Sequence, residues 1–121
     1  MLIVDDDHVL ARGLQRALQL GLPQCVVEVC HDMASARLRA AEVAFDFALL
    51  DVHIGSESGV SLGLALRQIA PGLPIAFMTG EPQSAEASRA LTLAPLAMLA
   101  KPFSAKDVMK VIETHAASRA R

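Results

Sequence analysis

Five short apolar runs, Leu2 to Val4, Cys25 to Val29, Phe47 to Leu50, Pro74 to Met78 and Leu96 to Leu99, are spaced along the chain with longer, polar-punctuated stretches between them. Each run is almost continuously apolar, the pattern of a strand buried on both faces. The stretches between them carry helical periodicity. After Asp7, Leu10, Leu14, Ala17 and Leu18 recur at helix spacing, and Gly21-Leu22-Pro23 ends the segment. Asp32 is placed to cap a second, alanine-rich helix that reaches about Val43. Gly59 to Ala70 forms a third, stopped by Pro71-Gly72, and Ser84 to Leu93 a fourth. Ser104 to about Ser118 forms a fifth, with Val108, Val111, Ile112 and His115 on one face. Five strands alternating with five helices predict an α/β domain with a doubly wound parallel sheet and helices on both faces. Right-handed crossovers then bring every strand's C-terminal end to one edge, where open α/β sheets bind ligands.

Composition narrows the function classes. Residues 1–121 are expected to form a single domain, large enough to bury a core without metal or disulfide staples. The hydrophobic fraction is 53% and the mean hydropathy +0.40, yet no apolar stretch approaches membrane-spanning length. Leu2-Ile3-Val4 meets Asp5 with no basic segment before it, which does not read as a signal peptide, so a cytoplasmic location and no membrane partner are expected. Eleven Lys+Arg against 13 Asp+Glu give a net charge of −2, the basic residues are dispersed, and Trp and Tyr are absent. Direct nucleic-acid binding is therefore not expected. Cys25 and Cys30 fall in one predicted strand at an odd separation, pointing to opposite faces as small core residues rather than as a disulfide or zinc pair.

The chemistry stands at the strand ends. The first strand runs into Asp5-Asp6-Asp7, the third into Asp51, the fourth into Thr79, and the fifth, two residues on, into Lys101-Pro102. At average acidic usage three consecutive acids at a given position arise by chance only about two times in a thousand. Asp7 has the alternative reading of a helix cap, which does not account for Asp5 and Asp6. If the first and third strands are neighbours, Asp51 joins Asp5 and Asp6, and such crowded carboxylates repel unless a cation screens them. The candidate ligands are all oxygens, so the hard ion Mg²⁺ fits best. Thr79 adds a hydroxyl and Lys101 a point charge, and the set describes a phosphoryl site with a carboxylate nucleophile or acceptor.

Taken in order, Leu2-Ile3-Val4-Asp5-Asp6-Asp7, Leu49-Leu50-Asp51-Val52-His53-Ile54, Ser58-Gly59, Phe77-Met78-Thr79-Gly80 and Lys101-Pro102-Phe103 resemble the receiver domains of bacterial two-component response regulators. The spacing matches too: 46 residues from Asp5 to Asp51, 28 on to Thr79 and 22 more to Lys101. The resemblance covers essentially the whole chain. It implies a flavodoxin-like five-stranded sheet of order 2-1-3-4-5. It also implies that Asp51 is the phospho-acceptor, that Asp6 ligates Mg²⁺ directly with Asp5 acting partly through water, and that Asp51 and the backbone carbonyl of His53 complete the metal site. Thr79 resembles the switch hydroxyl and Lys101 the cation that pairs with the phosphoryl group, with the Lys101-Pro102 bond expected to be cis. A sensor histidine kinase or histidine phosphotransfer protein is the implied donor. The fourth helix, fifth strand and fifth helix, carrying Arg89, Lys106 and Lys110, are the implied face for an output domain, another protein or a second copy. By this reading the chain is a phospho-acceptor signalling domain rather than an enzyme, apart from intrinsic autodephosphorylation.

Some positions depart from the family pattern. Gly55 stands where proline is common, which is expected to loosen the loop after Asp51. Met98 occupies the usual aromatic switch position and reads as a packing residue. Ala94-Pro95 replaces a common Gly-Ala and is expected to stiffen the approach to the fifth strand. His53 and Glu81, each two residues past a site residue, are candidates for tuning the lifetime of an aspartyl phosphate. His8, His31 and His115 read as solvent-facing or packing residues without a ligand partner. Two rival readings remain. Asp5-Asp6-Asp7-His8-Val9 also resembles the signature of haloacid-dehalogenase-like phosphatases, with Asp5 as nucleophile, although that reading leaves Asp51 without a role. The other rival is a pseudo-receiver, an interaction module that is never phosphorylated.

Overall fold

Each helix opens on a side chain that satisfies its free N–H groups. In the computed structural model, which describes residues 1–119, the Asp7 carboxylate accepts the Leu10 N–H at 3.1 Å and starts α1 (His8–Gly21). Asp32 accepts from Ser35 at 2.7 Å to start α2 (Met33–Glu42). Ser58 and Ser84 open α3 (Gly59–Ile69) and α4 (Ala85–Leu91) in the same way. At α5 (Ala105–Arg119) Asp107 accepts the Ser104 N–H at 2.9 Å while the Ser104 hydroxyl accepts from Asp107 at 3.4 Å, a reciprocal capping box.

Between the helices lie β1 (Leu2–Val4), β2 (Glu28–Cys30), β3 (Ala48–Asp51), β4 (His53–Ile54), β5 (Glu57–Ser58), β6 (Ile75–Thr79) and β7 (Met98–Ala100). The main sheet is parallel, in the order β2-β1-β3-β6-β7. This is the expected flavodoxin-like order once the short β4–β5 hairpin is counted in the chain numbering. Strand alternation divides the interior in two. Leu2, Val4, Ala48, Leu50, Ile75 and Phe77 face α2, α3 and α4. Ile3, Leu49, Ala76 and Met78 face α1 and α5, where Leu14, Leu18 and Val108 meet them. Both faces of the central strands are therefore dry, which accounts for their unbroken apolar runs. Among the described residues no helix is long and apolar enough to cross a membrane.

The structure corrects several details. The second strand sits later than its apolar run: β2 covers Glu28–Cys30, leaving Cys25 outside it. The two cysteines are free and still pack on opposite sides of the sheet, Cys30 among the first cluster and Cys25 against the second. The segment after Asp51 is not loosened by Gly55. It pairs back on itself, His53 with Ser58 and Ile54 with Glu57, and Gly55 takes φ +61° at the first turn position. A two-residue hairpin wants glycine there, and proline cannot adopt that angle. Met98 packs against the first core cluster, in line with its reading as a packing residue.

Two backbone positions make opposite demands. At Gly59 an added Cβ would lie 1.8 Å from the Asp51 carbonyl oxygen, so only glycine lets α3 start beside the end of β3. Ala94 has φ +50°, a left-handed conformation that costs an alanine about 1–2 kcal/mol, in a turn to which Arg67 donates at the Leu93 carbonyl. Urea denaturation checks both positions. Gly59→Ala is expected to lose about 3 kcal/mol, and Ala94→Gly to gain about 1 kcal/mol once the extra freedom of glycine in the unfolded chain is subtracted. A stable Gly59→Ala or a weakened Ala94→Gly contradicts this account.

Candidate functional site

Strand register assembles the site. β1 and β3 pair Val4 with Leu50, so Asp5 and Asp51 stand side by side one residue further on. β6 pairs Met78 with Asp51, which puts Thr79 just beyond, and β7 pairs Ala100 with Thr79. Lys101 follows, its N–H donated to the Thr79 carbonyl at 2.8 Å. Asp5, Asp51 and Lys101 continue the alternation of Ile3, Leu49 and Leu99, which brings all three to the α1/α5 side of the sheet edge. The Lys101-Pro102 bond is cis, as expected.

The Lys101 ammonium donates to Asp51 Oδ2 at 2.6 Å and to Asp5 Oδ2 at 3.1 Å. The other oxygens of both carboxylates are held by the backbone: Asp5 Oδ1 accepts the Asp7 N–H at 2.9 Å, and Asp51 Oδ1 accepts the His53 N–H at 2.9 Å. Asp5 is fully buried and Asp51 nearly so, whereas Asp6 is exposed. Carboxylate oxygens of Asp5, Asp6 and Asp51 lie within 4.8 Å of one another. One ammonium against three carboxylates leaves the pocket strongly negative.

The titration directions follow from this crowding. Burial is the largest influence on Asp5 and raises its pKa. The Asp7 N–H opposes that, the Asp51 charge adds to it, and Lys101 pulls the other way, with a net value above the ordinary 3.8. Burial by itself lowers Lys101, but its bond to Asp51 and the fields of Asp51 and Asp5 outweigh that and hold it above its ordinary value. A donor set made only of carboxylate oxygens, at this spacing and with negative charge to spare, fits a hard divalent cation.

Thr79 is buried at the same edge, but its hydroxyl oxygen accepts the Glu81 N–H at 2.9 Å and is not bonded to Asp51 or Lys101. Its own proton is left to donate elsewhere. His53 lies on β4, its imidazole exposed. Asp7 is the α1 cap, resolving its two readings. His8 and His31 pack on each other, in line with their reading as packing residues: their rings stack at 3.6 Å, and His31 Nδ1 lies 3.0 Å from the Asp5 carbonyl, which only accepts, so that nitrogen donates. They are 23 residues apart, and only the parallel pairing of β1 with β2 brings them together. His115 packs partly buried on α5, its Nε2 without a partner among the described residues. Sequence reasoning missed the β4–β5 hairpin, although Gly55-Ser56 between Ile54 and Glu57 was an available signal.

Comparison with known proteins agrees with this geometry. The model of the response regulator receiver domain family matches residues 1–113. The acid tolerance regulatory protein ActR of Sinorhizobium medicae is 30% identical over 112 residues, 93% of this chain and 57% of ActR. The response regulator protein FleR of Pseudomonas aeruginosa is 31% identical over 117 residues, 96% of this chain and 24% of FleR. The chain thus spans little more than half of the first relative and a quarter of the second. A Burkholderia pseudomallei response regulator, solved with a phosphorylated aspartic acid, a calcium ion and citrate, superposes with a TM-score of 0.79 at 29% identity, over 97% of this chain and 71% of that one. A CheY-like receiver domain from Methanospirillum hungatei gives 0.88 at 21% identity, over 98% and 94% of the two chains, and shares the fold.

The raised Asp5 pKa sets a pH dependence in metal-free buffer. Above the ordinary carboxylate value the folded chain keeps a proton that the unfolded chain has released, so this residue's contribution to stability falls as pH rises through that window. Glu28, held low chiefly by its bond to Arg39, acts in the opposite sense, losing its contribution as pH drops below 4.5. Thermal denaturation in EDTA is expected to show Asp5→Asn more stable than wild type at neutral pH, with a flatter profile above the ordinary carboxylate value. An Asp5→Asn variant less stable at neutral pH contradicts this assignment.

Proposed function

The chain belongs to the response regulator receiver domain family, and on that premise we propose that it is a phosphorylation switch in which Asp51 accepts a phosphoryl group from a histidine kinase or histidine phosphotransfer protein. The observation that carries this reading is the pair of bonds holding Asp51: Lys101 on Oδ2 and the His53 N–H on Oδ1 orient a nearly buried carboxylate at the ligand-binding edge of the sheet. An oxygen of Asp51 bonds to phosphorus in line as the donor's P–N bond breaks; the electron pair stays on that ring nitrogen, and the proton carried by the ring's other nitrogen leaves the departing imidazole neutral. Asp6 and Asp51, with Asp5 and the backbone carbonyl of His53, would hold Mg²⁺, which when bound neutralises charge on phosphoryl oxygens. Once Asp51 carries the phosphoryl group as an acyl phosphate, the Lys101 ammonium loses a carboxylate partner and pairs with a phosphoryl oxygen. The Thr79 hydroxyl donates its proton to another.

The face made by α4, β7 and α5 reads the switch. On the β7 and α5 side a groove of about 510 Å³ runs past Leu96, Leu99, Lys110, Val111 and Thr114, and on α4 Leu91 is 58% exposed. An output domain, a separate protein or a second copy is the proposed occupant. Phosphorylation shifts the population of the state that binds it. The relative's phosphorylated aspartic acid and calcium ion support the acceptor chemistry and the metal site by analogy.

Incubation with acetyl phosphate and Mg²⁺, followed by intact mass and peptide mapping, tests the reading. One phosphoryl group on Asp51, absent in folded Asp51→Asn, is expected. Phosphate on Asp5 points instead to the phosphatase chemistry of the haloacid-dehalogenase type, and no phosphate on folded wild type to a pseudo-receiver. In the same assay His53→Ala and Glu81→Ala, both at exposed positions flanking the site, are expected to change the lifetime of phosphoryl-Asp51. Unchanged lifetimes remove them from the hydrolytic step.

A further inference from the structure

The acceptor loop is fastened on the side away from Lys101 as well. Asp51 Oδ1 accepts the His53 N–H, and His53 is paired across the hairpin with Ser58. The Ser58 hydroxyl serves two helices at once. Its oxygen accepts the Val60 N–H at 3.1 Å as the α3 cap, and its proton goes to Glu86 Oε2 of α4 at 2.7 Å. The second Glu86 oxygen takes the Arg89 guanidinium at 2.6 Å. The Ser58 hydroxyl first, and Arg89 second, hold the Glu86 carboxyl below its ordinary range, so at neutral pH it is an anion accepting from both.

This bond matters because α4 has little else to fix it. The helix is seven residues long, and its buried side chains are Ala87 and Ala90, which supply small apolar contacts. On β7, Met98 packs partly buried against the first core cluster, with no hydroxyl to engage a polar partner. The polar bond from α4 to the acceptor side therefore runs through Glu86.

We propose that the Ser58–Glu86 hydrogen bond is a clasp between the acceptor hairpin and α4, and that Glu86 is a positioning residue for Asp51, acting through Ser58 and His53. Its signalling consequence rests on the acceptor reading of Asp51: a change at the acceptor that moves the hairpin is passed to α4 through the clasp.

Ser58→Asp keeps a capping oxygen for α3 while setting a like charge against Glu86. Glu86→Ala opens the clasp from the other side, and the double variant Ser58→Asp/Glu86→Gln restores a donor and an acceptor. Residue-resolved amide hydrogen exchange on the metal-free full chain is expected to accelerate at His53 and along the hairpin by roughly three- to tenfold in each single variant, the factor one net hydrogen bond supplies. Rates at Ile3 and Leu49 stay unchanged, and the double variant returns towards wild type. Unchanged His53 exchange in the single variants, or acceleration that extends equally to Ile3 and Leu49, overturns the clasp.

The same samples treated with acetyl phosphate and Mg²⁺ separate the clasp from the acceptor reading. Phosphoryl-Asp51 in all of them, with α4 amide shifts that follow it in wild type and not in the single variants, supports both. Identical α4 shifts throughout overturn the clasp. A wild type with no phosphate on Asp51 removes the acceptor reading, and the exchange rates alone then decide the clasp.

Discussion

Two buried carboxylates share one ammonium, and the rest of the molecule is arranged around that contact. Asp5 and Asp51 end neighbouring parallel strands, so the sheet that buries the core also forces them together. In a poorly solvated pocket their mutual repulsion is costly. Lys101 reaches both from the end of β7, and backbone N–H groups of Asp7 and His53 hold the remaining oxygens. Even so the pocket is short of positive charge, because Asp6 opens onto the same space. Such a site is destabilising when left to itself. A ligand of the opposite sign would restore the balance.

Much of this was legible in the sequence, for a physical reason. A parallel sheet wet on neither face must be written in uninterrupted apolar residues, and its right-handed crossovers leave no choice about which edge collects the strand ends. Asp5, Asp51, Thr79 and Lys101 were therefore locatable from one-dimensional order, and the structure brings all four to that edge. Asp7 had two readings, and the distance to Leu10 decides for the cap.

The remainder depended on contacts that no local pattern encodes. The stacking of His8 on His31 exists because β2 lies beside β1. The bond from Ser58 to Glu86 crosses 28 residues and depends on where α4 settles on the sheet. The hairpin after β3 was locally written, in Gly55-Ser56, but a two-residue strand is too short to raise a period-two signal. The departure at Gly55 turned out to be a requirement of that hairpin, whereas Ala94 carries a strain the chain tolerates within an otherwise well-packed fold.

The central claim is that the negative pocket is built to be completed by a divalent cation. Its most direct test is the thermal stability of wild type and Asp6→Asn at neutral pH as Mg²⁺ is titrated, because Asp6 is exposed and its loss spares the buried contacts. The account predicts a wild-type Tm that rises by several degrees when the ion exceeds its Kd about a hundredfold, and a response largely lost in Asp6→Asn. A wild-type Tm indifferent to Mg²⁺, or an equal rise in both proteins, contradicts it.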